Sequence, residues 1–137
     1  MTPKPWRLWG ARFLVGLVLL INLQCAASFL ISPGFYMAGF EVDKDVGTSV
    51  VRGMGILFLM WNVPYVVALS HPVKRLLSLY EAIAMQAIGL VGESWLSTSV
   101  PASHSSIQAA LQRFILFDGA GLAALILAAW IAKRAGD

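Results

Sequence analysis

The chain has 137 residues and is short of the side chains on which most soluble chemistry depends. Cys25 is its single cysteine, so no intramolecular disulfide can form and no dithiol couple exists, which excludes thiol–disulfide exchange by the chain alone. Its two histidines, His71 and His104, fall in different loops without a cysteine or carboxylate at ligand spacing, so no metal site is expected and Ser/His/Asp catalysis fails on the same ground. Charge is scarce at 12%, and the excess of ten Lys and Arg over seven Asp and Glu forms no soluble basic face with interleaved aromatics, so nucleic acid is not an expected partner. There is no repeat, no low-complexity tract, no inter-domain linker and no cofactor motif.

What remains is apolar. Hydrophobic residues make up 58% of the chain and its mean hydropathy is +0.75, which places it in a bilayer rather than in water. Four windows reach the roughly 20 mostly apolar residues that a spanning helix needs: 11–32, 48–70, 75–97 and 108–132. The expected fold is all-α, a polytopic membrane protein whose residues 1–137 form one four-helix integral-membrane domain. The first window reads as a retained span rather than a cleaved signal, because the apolar stretch from Phe13 to Pro33 is longer than the 7–15 residues of a typical signal core.

Basic residues set the expected orientation. Lys4, Arg7 and Arg12 precede the first span, Lys74 and Arg75 separate the second from the third, and Lys133 and Arg134 follow the fourth. The positive-inside rule then makes both termini cytoplasmic, in a bacterial inner (plasma) membrane. Trp6, Trp9, Tyr80 and Trp130 fall near the inner interface, and Phe35, Tyr36 and Trp95 near the outer one. The outer segment "SPGFYMAGFEVDKDVG" mixes aromatics with acids, as suits a stretch lying along the membrane surface. In "STSVPASHSS", Ser105 or Ser106 is the expected N-cap of the last helix.

Ionisable residues inside spans are costly and normally face the bundle. Arg52, Glu93, Arg113 and Asp118 lie in the outer half, and their charges cancel, so they are expected to form an intramembrane cluster that is either an interhelical lock or a ligand site. Arg113 and Asp118 stand about 140° apart on their helix, so each is expected to meet a different neighbour. A second, inner group joins Asn62 and Glu81 near the kink that Pro64 imposes, with Asn22 and Gln24 available for further hydrogen bonds. On the third helix, Ser78, Ala82, Gln86, Gly89, Glu93 and Ser97 form one small or polar stripe that should face other helices.

The segment "VVRGMGILFLMWNVPYVVALSHPVKR", with Arg-Gly opening the second helix and a proline-ended inner turn, resembles the DoxX-like small four-helix bacterial membrane proteins, as do the chain length and short loops. Some members are partners of redox assemblies, which would imply a helper role; no catalytic residue is carried over. The leading expectation is an accessory or scaffold subunit of a larger membrane complex, of a respiratory or photosynthetic kind, packing against partner helices, further copies of itself and membrane lipids. A small transporter or lipid- or anion-binding protein is the alternative. An enzyme acting on a lipophilic substrate through Glu81 or Asp118 comes third, so a non-enzymatic role is favoured.

Overall fold

The computed structural model describes residues 4–136, apart from the side chains of Lys44 and Gly136. Helix α1 spans Pro5–Ile31, α2 Gly34–Met37, α3 Lys44–Trp61, α4 Val63–Ser70, α5 Leu76–Ser99 and α6 Ser105–Gly136, with a 3-10 turn at Ala38–Phe40 after α2. Because α3 and α4 run on as one interrupted rod, four helical segments are long and apolar enough to cross a membrane: Pro5–Ile31, Asp45–Ser70, Leu76–Ser99 and Ser105–Ala135. No strand occurs among the described residues. Each segment extends the expected window, since the flanking polar turns still satisfy their backbone within the helix.

The expected kink is a full break at Asn62. Pro64 has no amide proton to give the preceding turn, so α4 restarts with proline in its first turn, where that loss costs nothing. Asn62 repairs part of the damage by donating from its side-chain nitrogen to the Phe58 carbonyl at 2.6 Å.

This break decides the packing. Below it, α4 packs on both α1 and α5; above it, α3 stays with α1 and α2 rather than with α5 or α6. The half of the bundle nearest the chain termini is solid. Ala11, Val15, Leu79, Ala82, Leu125 and Ala128 are all fully buried there, and small residues let the helix axes approach closely. Arg7 donates to the Arg134 carbonyl and Arg12 to the Ser70 carbonyl, tying the helix ends together. Exposed Trp6, Trp9 and Trp130 each lie beside an arginine, with the Arg134 guanidinium 4.0 Å from the Trp130 ring centre, the pairing of aromatic and cation typical of a membrane–water boundary.

At the opposite end α3 diverges and the bundle is hollow. The Gly34–Phe40 segment crosses over the gap, with α2 resting on α3 and the 3-10 turn on α6. Its aromatic rings complete a cluster around Phe29, whose ring centre lies 4.7 Å from Tyr36, 5.9 Å from Phe40 and 5.6 Å from Phe58. Phe40 in turn stacks on Phe114 at 6.4 Å.

Candidate functional site

The wedge left by α3 holds a cavity of about 470 Å³, within the range that takes a small organic molecule. Its walls are of two kinds. Towards the roof they are aromatic, from Phe29, Tyr36, Phe40, Phe58 and Phe114; towards mid-depth they are polar, from Asn22, Asn62, Tyr65, Gln86, Glu93 and Asp118. Trp61, at the end of α3, lines the cavity and is also 45% exposed, so the wedge reaches the lipid-facing surface near mid-span.

The polar wall is a connected chain. Tyr65 donates its hydroxyl proton to the Gln86 side-chain oxygen at 2.6 Å, with the Ala82 carbonyl at 3.2 Å. The Gln86 nitrogen donates to Asp118 at 2.8 Å. Asp118 is within hydrogen-bonding reach of the Glu93 carboxyl. Carboxylate oxygens only accept, so a bond between these two groups needs one proton held between them.

Two glycines make this crossing of α5 and α6 possible. A Cβ at Gly89 would collide with the Asp118 carboxyl, and one at Gly121 would sit 2.6 Å from the Gln86 side-chain nitrogen. Each glycine therefore leaves a slot for the polar head coming from the facing helix.

Among the described residues, two buried side-chain acceptors have no hydrogen-bond donor: the Asn62 side-chain oxygen and one Glu93 carboxyl oxygen. Asn62 is only 3% exposed. Orphaned buried polar atoms carry a desolvation cost of about 1–3 kcal/mol each, and both belong to residues that line the cavity.

Of the outer cluster expected from sequence, Glu93, Asp118 and Arg113 line this cavity and Arg52 does not. Arg52 is exposed: at 100° per residue it is turned about 100° from fully buried Val51 and about 120° from Phe58, which lines the cavity, while Gly55 presses on Ala26 and Phe29 of α1. Arg113 is exposed at the rim and makes no ion pair within 4.0 Å among the described residues. The inner pair is likewise separated: Asn62 faces the cavity, while Glu81, next to fully buried Ala82, is exposed. The polar stripe on α5 does turn inward, with Ala82 and Gln86 buried and Gly89 and Glu93 on the cavity.

Tyr65 and the aromatic cluster carry no sequence signal that separates them from lipid-facing residues, since aromatics at helical spacing also suit a bilayer. Asn22, Asn62 and Gln86, three amides at mid-span, are the clue that points to the site.

The roof is fastened from outside the membrane. Glu41, the residue ending the 3-10 turn, has a left-handed backbone at φ 52° and places its carboxylate 2.6 Å from His104 Nδ1 in the α5–α6 loop. The Glu41 carboxyl is held below the usual glutamate range, chiefly by the hydrogen bond from His104, with its charge and the amides of Ser106 and Ile107 adding to the effect. Glu41 thus serves the first turn of α6, the role expected of Ser105 or Ser106; Ser105 is itself the first helical residue. A carboxyl whose folded pKa is depressed stabilises the fold above its unfolded value, about 4.3 for glutamate, and loses that contribution as pH falls through the folded value. The Phe40 ring signals in an NMR titration are accordingly expected to move in a step centred below about pH 4.3, and Glu41→Gln should abolish it. A Phe40 titration that is unchanged in Glu41→Gln would disprove the fastening.

No group of three or more metal-ligating side chains occurs among the described residues. No family model, curated protein or solved structure matches the chain.

Proposed function

We propose that this chain is a multi-pass membrane protein that binds a small amphipathic molecule drawn from the bilayer, as a carrier or transporter, with its termini on the cytoplasmic side. The observation that carries this reading is the cavity whose aromatic half suits an apolar body and whose polar half holds an unpartnered, buried Asn62 oxygen. A structural lock would have closed the polar chain on itself. Anion binding loses its support, because Arg52 stands apart and the two carboxyls outnumber the one remaining guanidinium, Arg113. The cationic and tryptophan-rich terminal end supports this orientation.

Native mass spectrometry on protein released gently from its own membrane tests this. The wild type is expected to carry a bound small molecule that Ala110→Phe loses, since Ala110 is buried on the cavity wall and a ring there fills the space. Identical spectra for wild type and a correctly folded variant would defeat the proposal.

A packing role in a larger assembly rests on a separate observation, the outward position of Arg52 in the Asp45–Ser70 span without an ion pair among the described residues. On that reading a partner helix or lipid phosphate meets the guanidinium. The same mass measurement decides it: a stoichiometric partner protein that Arg52→Gln removes supports a subunit, and a chain running alone or only with itself refutes one.

A further inference from the structure

Resting on the reading of the cavity as a binding site, we infer that its polar wall selects the head of a lipophilic amine, a protonated ammonium met by the Glu93 and Asp118 carboxyls and the Asn62 side-chain oxygen. The tyrosine and two of the amides on that wall each already give a hydrogen bond to the protein. The Tyr65 hydroxyl is given to Gln86, the Gln86 nitrogen to Asp118, and the Asn62 nitrogen to Phe58. The buried side-chain atoms left with no partner among the described residues are acceptors, on Asn62 and Glu93. A ligand head that satisfies them must donate hydrogen bonds.

Charge narrows the choice. Neither Glu93 nor Asp118 has a cationic side chain within 4.0 Å among the described residues, and in a low-dielectric site carboxyl groups require a cation or a proton. A carboxylate or phosphate head would add acceptors and negative charge where both are in excess. An alcohol supplies one donor and no charge. An ammonium supplies up to three donors and the missing positive charge, and the aromatic half of the cavity takes the apolar body attached to it.

Three probes with one tail and different heads separate the possibilities: phenylbutylammonium, phenylbutanol and phenylbutanoate, titrated calorimetrically into the full chain in phosphatidylcholine nanodiscs with empty nanodiscs as baseline. The ammonium is expected to bind roughly tenfold or more tighter than the alcohol, as charge-assisted hydrogen bonds replace neutral ones, and the carboxylate to bind weakest. Glu93→Gln and Asp118→Asn should each cost the ammonium far more affinity than the alcohol, bringing the two together, and helical circular dichroism in the same nanodiscs reports that the variants are folded. Alcohol or carboxylate binding as tight as the ammonium, or a preference that survives Glu93→Gln, overturns the assignment to amines and leaves the binding reading standing. If none of the three exceeds the empty nanodiscs, the binding reading falls, and the amine assignment with it.

Discussion

Phe29→Ala is expected to destabilise the protein by about 2–4 kcal/mol and to release the cavity roof. Truncating a buried phenylalanine in a soluble core costs about 3–5 kcal/mol; in a bilayer part of the transfer term disappears, because the reference environment is already apolar, while the lost packing and the void remain. Phe29 is 1% exposed and touches rings from three separate parts of the chain: Tyr36 and Phe40 in the roof, Phe58 on α3 and Phe114 on α6. Its loss removes the ring shared by the roof, α3 and α6, and leaves the direct Phe58–Phe114 contact, at 6.3 Å, to join the two helices. Phe13, on the same helix but 70% exposed, supplies the comparison, and Phe13→Ala should change stability little. Chemical unfolding in detergent, followed by helical circular dichroism, measures both; equal effects at the two positions would rule out the aromatic cluster as a keystone.

Gly89→Ala is expected to cost about 1–3 kcal/mol, the range for overpacking a tight contact, whereas Gly92→Ala one turn away should be neutral or stabilising by up to about 1 kcal/mol. The two differ in what an added methyl meets. At Gly89 it is the Asp118 carboxyl, whose position is fixed by the 2.8 Å bond from Gln86; at Gly92 nothing lies within 4 Å. The methyl must push Asp118 off Gln86, so the polar wall breaks along with the helix contact. Gly89→Ala should therefore also erase the preference for an ammonium head, and Gly92→Ala should keep it. Unfolding curves and the same calorimetric titration test this, and a Gly89→Ala protein as stable and as selective as Gly92→Ala would show that the slot does not matter.

The number of spans, their rough limits and the all-α class were legible because a bilayer imposes one strong rule on a chain, a long run of apolar residues that satisfies its own backbone. A kink near Pro64 was legible for the same local reason, a missing amide proton, though not its depth as a full break at Asn62. The inward stripe on α5 followed from 3.6-residue periodicity, and Glu93 and Asp118 stood out as intramembrane carboxyls. Depth alone puts Arg52 in the outer cluster with them, and Glu81 in the inner group with Asn62. Depth along a helix follows from counting residues, but the rotation of one helix against another depends on contacts between them. Arg52 lies about 120° around α3 from Phe58, which lines the cavity, and that rotation keeps it out of the site. The link from Glu41 to His104 was hidden for a related reason, since 63 residues separate its ends and neither loop has a local signature for it.

By itself, the sequence determined that the chain has four helices long and apolar enough to span a membrane, with a kink in the second, and it supplied an acid pair, mid-span amides and glycines on opposing helices. Only the tertiary structure decided which of these meet. The break at Asn62 tilts α3 away from α5, which turns a core position into a cavity wall. The glycine slots on α5 and α6 then bring Gln86, Glu93 and Asp118 together while Arg52 stays outside. Both outcomes depend on helix rotation and tilt, which arise from side chains packing between segments far apart in the chain.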